Sequence, residues 1–450
     1  MNDRHEIFGW AMYDWANSAF ATTVSAVFLG PYLTALAKAA SDKNGLVYLL
    51  GIGIAPASFL PYAVSLSALL QILVLPILGA IADYSHLRKP MLMIFTVLGA
   101  TATTLLFFVE GNLWWLGGVL YLIASLSFAA CIVFYNSYLP DIASEDQRDR
   151  VSSFGWALGY LGGGLLLVIN LAFYQISPWI FGEANTGLIV RVNLASAGIW
   201  WMGWSIWTFT TLRSRQEGPT QLEGEAYFIV GFREMATTLR EMRRYPETLR
   251  FLLAYLIYND GVQTVVVTAA IFGAELLGMS QSTLVLVILM VQLVAFFGAL
   301  LFGRVAGRIS AKTAVLISLA IWSGTAIYTY GFLSSEFEFW LLAGVIALVL
   351  GGSQALSRSL FAQMIPKHRE AEFFSFYELA DRGSSLLGPL AFGLTNQWLG
   401  SLRYAALSVS LFFVAGLVLL TRVNVQKAIQ DAQADQTTTL KSEASRLRAP

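Results

Sequence analysis

The chain has 450 residues, 56% of them hydrophobic and only 12% charged, against about 25% charged in soluble domains. With 38 glycines and a mean hydropathy of +0.63, it excludes an ordinary soluble enzyme, whose surface needs far more polar groups. Its 28 basic and 28 acidic residues balance, which removes the global positive field that nucleic-acid binding requires.

One cysteine, Cys131, rules out an internal disulfide and any Cys-based metal site. His5, His86 and His368 sit in separate polar connections, and neither H-E-x-x-H nor G-x-S-x-G occurs. No cofactor is expected. A polytopic enzyme acting on lipid would need such a nucleophile or metal cluster, so transport is favoured over catalysis, with a solute-binding receptor or scaffold as a further alternative.

A hydrocarbon core about 30 Å thick needs about 20 apolar residues of helix. Such runs fall near 7–36, 57–84, 90–109, 113–139, 150–173, 189–212, 249–274, 281–303, 311–332, 338–359, 373–398 and 402–421, so the expected fold class is an all-α membrane protein of twelve transmembrane helices. The first run is too long for a signal peptide and carries Asp14 and Asn17, so its retention is expected. With the N-terminus inside, 24 of the 28 Lys and Arg residues fall on the cytoplasmic side, leaving Lys38, Lys43, Arg191 and Arg403 opposite. Both termini are thus expected in the cytoplasm, in a multi-pass protein of the inner membrane, read as a monomer.

The longest break divides the chain into a six-helix half over 1–212, a linker over 213–248 and a second half over 249–421. In the linker, Phe228, Ile229, Phe232, Met235, Leu239 and Met242 recur at helical spacing, which predicts a helix lying on the inner leaflet or packed on the bundle. Residues 422–450 read as a mobile polar tail. Trp114 and Trp340, Pro140 and Pro366, Phe154 and Phe376, and Asp14 and Asp260 recur in the same order, which predicts two duplicated halves.

Between spans two and three, Gly79-Ala80-Ile81-Ala82-Asp83 is followed by Arg88 and Lys89. This resembles the G-x-x-x-D loop of the major facilitator superfamily, although Tyr84 and His86 stand where a basic residue and a glycine are usual. The resemblance implies a gating contact for Asp83 with span eleven, and Arg88 is placed to pair with Asp141 at the end of span four. Four longer stretches are more specific: W-A-M-Y-D-W-A-N-S-A from Trp10, F-Y-N-S-Y-L-P-D from Phe134, S-S-F-G-W-A-L-G-Y-L-G-G from Ser152 and L-I-Y-N-D-G-V-Q-T from Leu256. With the stretch from Gly352 to Ser359, they resemble bacterial relatives of the autophagy-related vacuolar amino-acid effluxer. The resemblance covers about 8–420. It implies a secondary transporter of a small solute, with amino acids and export as the candidate substrate class and direction.

Charges inside spans cost about 2.5–3.5 kcal/mol on insertion scales, so each marks a candidate site. Asp260 lies mid-span in the seventh run, with Gln263 and Thr264 on its face and Tyr258 and Asn259 beside it. It is the leading site residue, with a structural hydrogen-bond cluster as the alternative. In the facilitator architecture spans one, four, seven and ten line the cavity, which lets Asp14, Asn17, Asn136, Asp260 and Gln354 converge there. Asp14 fits a cytoplasmic gate equally well, and proton coupling through Asp260 or Asp14 stands beside uniport. On span eleven Glu378 and Arg382 are spaced to neutralise each other, as a gating pair or as part of a clamp on a zwitterion, and Asp381 adds a further acid. Gly155, Gly159 and Gly163, with Ser384 and Gly388, predict small-residue seams between the halves.

Overall fold

The computed structural model describes residues 2–84, 88–181, 186–213, 240, 242–366, 373, 376, 377, 380, 381 and 383–434. These form helices α1 (Arg4–Ala39), α2 (Phe59–Tyr84), α3 (Arg88–Leu105), α4 (Trp114–Asn136), α5 (Glu145–Phe181) and α6 (Thr186–Thr211). A second set follows: α7 (Pro246–Leu277), α8 (Gln281–Ile309), α9 (Ala311–Gly331), α10 (Glu336–Gln363), α11 (Leu387–Leu399) and α12 (Leu402–Thr421). Among the described residues nine helices are long and apolar enough to cross a membrane. In α1 the stretch Phe20–Phe28 winds as a π-helix.

Local chemistry sets the helix ends. Pro246 opens α7 where its missing N–H is no loss. The hydroxyls of Ser280 and Ser335 cap α8 and α10 by accepting the backbone N–H of Thr283 and Glu338. Helices α7 and α11 stop at Gly278 and Gly400, whose φ of 63° and 62° suits a residue without Cβ. Between α1 and α2 a two-stranded hairpin, Val47–Leu49 with Ile52–Ile54, turns at Leu50 and Gly51, both with positive φ.

The two sets pack alike. Helix α1 lies on α5 and α6, α3 on α4 and α6, and α2 on α4; in parallel, α7 lies on α11 and α12, α9 on α10 and α12, and α8 on α10. One large buried core belongs to the first set, joined by Ile271 and Val285, and a second runs from Met242 to Ala428. The halves meet through α2 with α11, α5 with α8, and α1 with α7 and α8.

Two expectations change here. Gly155, Gly159, Gly162 and Gly163 do not face α8 in the other half: a Cβ on any of them would run into Asp14, Ser18, Trp15 or Thr22 of α1. The strip therefore brings α5 close to α1 within one half, and Gly388 likewise abuts Asp260 and Thr264 of α7. The chain after Thr421 is not mobile from its start, because 425–434 is helical and buries Ala428 and Ala432, with Asn424 N–H donating 2.8 Å to Glu247 Oε2. Residues 435–450, and 214–239 with most of the expected linker helix, lie outside the described residues, although Met242 and Tyr245 are buried in the second core.

Candidate solute site and the seal above it

Aromatic residues at helical spacing frame an acid in each half. On α1, Trp10 stacks on Tyr135 of α4 with ring centroids 4.3 Å apart, and Tyr13 lies 5.4 Å from the same ring. That stacking aims the Tyr135 hydroxyl, which donates to Asp14 Oδ2 at 2.8 Å, while Trp10 Nε1 donates to the Tyr135 carbonyl at 2.9 Å. The Tyr13 hydroxyl pairs with Thr96 at 2.7 Å and accepts from Trp201 Nε1 at 3.4 Å. Asp14 lies partly buried about 15 Å along α1 from Arg4, at 1.5 Å per residue.

In the second half Tyr255 stacks on Tyr377 at 4.4 Å and donates to Asp381 Oδ1 at 2.5 Å. Asn259 Nδ2 donates to the same oxygen at 3.0 Å and to Ser384 Oγ at 2.6 Å. Tyr258 pairs with Ser357 of α10 at 2.5 Å. Trp10, Tyr13 and Asp14 thus share their spacing with Tyr255, Tyr258 and Asn259, a register one residue away from matching Asp14 to Asp260.

Asp260 is 2% exposed and turned to α11, where Oδ2 accepts the Leu387 N–H at 2.9 Å and Oδ1 the Gly388 N–H at 2.8 Å. Asn17 is buried, and its Nδ2 finds no acceptor among the described residues. Gln263 and Gln354 are partly buried, and Asn136 ends α4 exposed. Tyr160 on α5 is 53% exposed. The Arg88–Asp141 pair forms at 2.9 Å. The Asp83 side chain, Glu378 and Arg382 lie outside the described residues. Sequence reasoning missed Tyr135, Tyr255 and Tyr377; the aromatic run at i, i+3 before each acid was the available signal.

Among the described residues, every hydrogen bond between the halves lies at the end of the bundle poor in Lys and Arg. Gln397 at the foot of α11 accepts the Ala55 N–H at 2.5 Å and donates to the Gly53 carbonyl at 3.0 Å, tying the hairpin strand to the other half. Ser58 donates to the Gly393 carbonyl at 2.8 Å and accepts from Asn396 at 3.0 Å. Gln281 of α8 donates to the Val27 carbonyl of α1 at 3.3 Å, and Lys38 pairs with Glu275. The acids lie deeper than this seal.

The family model described as "Vacuole effluxer Atg22 like" matches residues 2–433. The chain belongs to the Atg22-like family. It is 30% identical over 417 residues to an uncharacterized MFS-type transporter, YxiO, of Bacillus subtilis (strain 168), covering 92% of this chain and 94% of that one. It is 25% identical to autophagy-related protein 22-1 of Penicillium rubens, covering 96% and 92%. The fold is that of the major facilitator transporters. A D-xylose-proton symporter matches with a TM-score of 0.68 at 13% identity over 93% of this chain and 97% of that one, and the nucleoside transporter NupG with 0.65 at 15% over 93% and 98%. This Atg22-like chain is therefore a multi-pass membrane transporter and not an enzyme, and its described helices form two sets that pack alike.

Proposed function

We propose that this Atg22-like transporter exports a small ammonium-bearing solute, an amino acid being the simplest, by alternating access from the cytoplasm. The observation that carries the reading is the pair Asp14 and Asp381, each held by a tyrosine hydroxyl, one in each half and both deeper than the seal. Two carboxylates, one from each half, favour a cation between them. Asn17, whose buried amide nitrogen has no acceptor, offers a donor to the solute's own carboxylate three residues from Asp14. Asn136, Tyr258, Gln263 and Gln354 complete the lining.

The excess of Lys and Arg at the opposite end supports a seal on the outer face and both termini in the cytoplasm, as expected of an inner-membrane protein. The described conformation then faces inward, ready to load solute from the cell, and the effluxer description of the family supports that direction. Arg88 with Asp141, and Asp83, sit where the inner gate closes. The 1–212 and 249–421 halves rock about the site.

Purified full-length protein in proteoliposomes, preloaded with unlabelled amino acid, should accumulate labelled amino acid by counterflow. Ligands would first be ranked by the rise in apparent stability that binding produces. A solute that raises stability but shows no counterflow would make the protein a receptor and overturn the transport reading.

A further inference from the structure

The eleventh span is a broken helix, of which α11 is the later segment. Tyr377, Asp381 and Gly383 are helical, 384–386 leave the helix, and Leu387–Leu399 resumes it. A helix restarted inside a membrane presents N–H groups that have no carbonyl one turn back, and lipid offers no substitute. The residue at the cap position, Leu386, supplies no side-chain acceptor. The acceptor comes from another helix: both oxygens of Asp260 take the first two N–H groups of the restarted segment. The residue before it reaches the other way, Asn259 holding Asp381 and Ser384 on the near side of the break. Gly388 makes the approach possible, because a Cβ there would come within 2.7 Å of Asp260 Oδ1.

We propose that Asn259 and Asp260 form a two-sided clamp on a hinge before α11, and that opening this hinge is coupled to binding of a proton at Asp260. The proposal rests on the transporter reading for its purpose but concerns how conformations are linked, not what is carried. The proton and the two N–H donors compete for one carboxylate. Ionised, it accepts from Leu387 and Gly388 at the positive end of the segment's dipole. Protonated, it is neutral and its hydroxyl oxygen is a much poorer acceptor, so the clamp weakens. If the outer segment swings away, the buried carboxylate loses both donors, and a proton from the water then facing the site neutralises it. When the clamp re-forms, the proton leaves to water. Linkage makes the two effects equal: whatever free energy hinge opening adds to proton binding, proton binding adds to hinge opening.

Among the described residues the groups that face this point are few. Helix α7 itself presents Tyr255, Tyr258, Asn259 and Thr264; the chain before α11 presents Ser384 and, through Asn259 and Tyr255, the charged Asp381. Helix α12 presents Phe412 and Phe413 against Gly261, and α10 presents Ser357, with Arg358 acting on Tyr377 nearby. Glu378 and Arg382 lie outside the described residues.

The test is a distance across the outer segment. Trp398 near the end of α11 and Phe337 at the start of α10 are 76% and 71% exposed, whereas the native Cys131 is buried and will not label. Spin labels on Trp398→Cys with Phe337→Cys, in the full chain in lipid nanodiscs without solute, should show two distances by electron double resonance. Their ratio should change on the order of tenfold between pH 8 and pH 5, within the usual range of coupling between sites. Asp260→Asn should give one ratio at both pH values. Asn259→Ala, which keeps the carboxylate, should retain the pH response while populating the open distance more at each pH. If Asp260→Asn does not fold, Asp260→Glu should fold and respond to pH, and a Glu variant with a fixed ratio would refute the coupling. A wild-type ratio indifferent to pH, or an Asp260→Asn ratio that still responds, would overturn the proposal. Absence of counterflow with the pH response intact would instead remove the transport reading alone.

Discussion

The two halves hold their acids differently. In the first, Asp14 sits on α1 itself, and its neighbour α5 is one unbroken helix, Glu145–Phe181, that approaches α1 through four glycines. In the second, the corresponding α7 position is the neutral Asn259; the acid, Asp381, stands on the segment before α11, and the chain between that segment and α11 leaves the helix where α7 grips it. Backbone against backbone leaves little room for relative movement, while side-chain hydrogen bonds across a helix break can be exchanged. The comparison teaches that the first half is built as a rigid block and the second as a hinged one.

The contrast is broken most severely at Gly162. A Cβ there would lie 2.8 Å from the Trp15 Cα, a backbone atom that cannot step aside. Overpacking of this kind costs typically 1–3 kcal/mol, occasionally more, so Gly162→Val should lose most of its monodisperse protein in detergent. Gly203→Val, where nothing lies within 4 Å of the new Cβ, should purify like the wild type. Equal yields of the two would mean that α1 and α5 are not locked.

Next in size is the loss of one tyrosine hydroxyl. Hydrogen bonds to charged groups contribute about 1.5–3 kcal/mol, so Tyr135→Phe should slow counterflow by roughly tenfold or more. Tyr255→Phe should slow it less, because Asn259 still donates to the same oxygen of Asp381. Equal losses would erase the asymmetry between the halves.

These residues show where the sequence was readable. Spans and their ends follow from hydropathy and from residues such as Pro246, Gly278 and Ser335, whose effects are local; so does the Arg88–Asp141 pair, set by two positions at span ends. The acids Asp14 and Asp260 were visible because a charge in an apolar run is conspicuous. Their orientation was not, since it depends on which neighbouring helix presents a donor. Asp260 faces backbone N–H groups left open by the break at 384–386; Gly383, Ser384 and Pro389 are breakers in the sequence, but they do not say which helix supplies the acceptor. The glycines of α5 were likewise visible as a smooth strip, but periodicity cannot say which neighbour the strip touches.

A smaller effect is expected at the seal. Gln397→Ala removes two neutral hydrogen bonds that tie the hairpin to α11, each contributing about 0.5–1.5 kcal/mol. A cysteine at Tyr62, which lies against Gly393, should then react several-fold faster with an impermeant maleimide than in the parent, while counterflow persists. Unchanged labelling would place the main barrier elsewhere on that face.

The smallest effect belongs to Arg88 and Asp141. Both side chains are about a third exposed, at 28% and 34%, and exposed pairs contribute about 0.2–1 kcal/mol. Arg88 also donates to the Ser137 carbonyl at 3.4 Å, so its loss touches the end of α4 as well as the acid. Arg88→Ala and Asp141→Ala should each change the counterflow rate by less than about fivefold, which is what 1 kcal/mol permits. The charge-swapped double variant should recover most of either loss if attraction is the whole of the contact. A much larger loss, unrecovered by the swap, would mean that the arginine fixes the end of α4 and with it the nearby Tyr135. The inner gate and the solute acid would then be one mechanical unit in the rigid half, with nothing equivalent required of the hinged one.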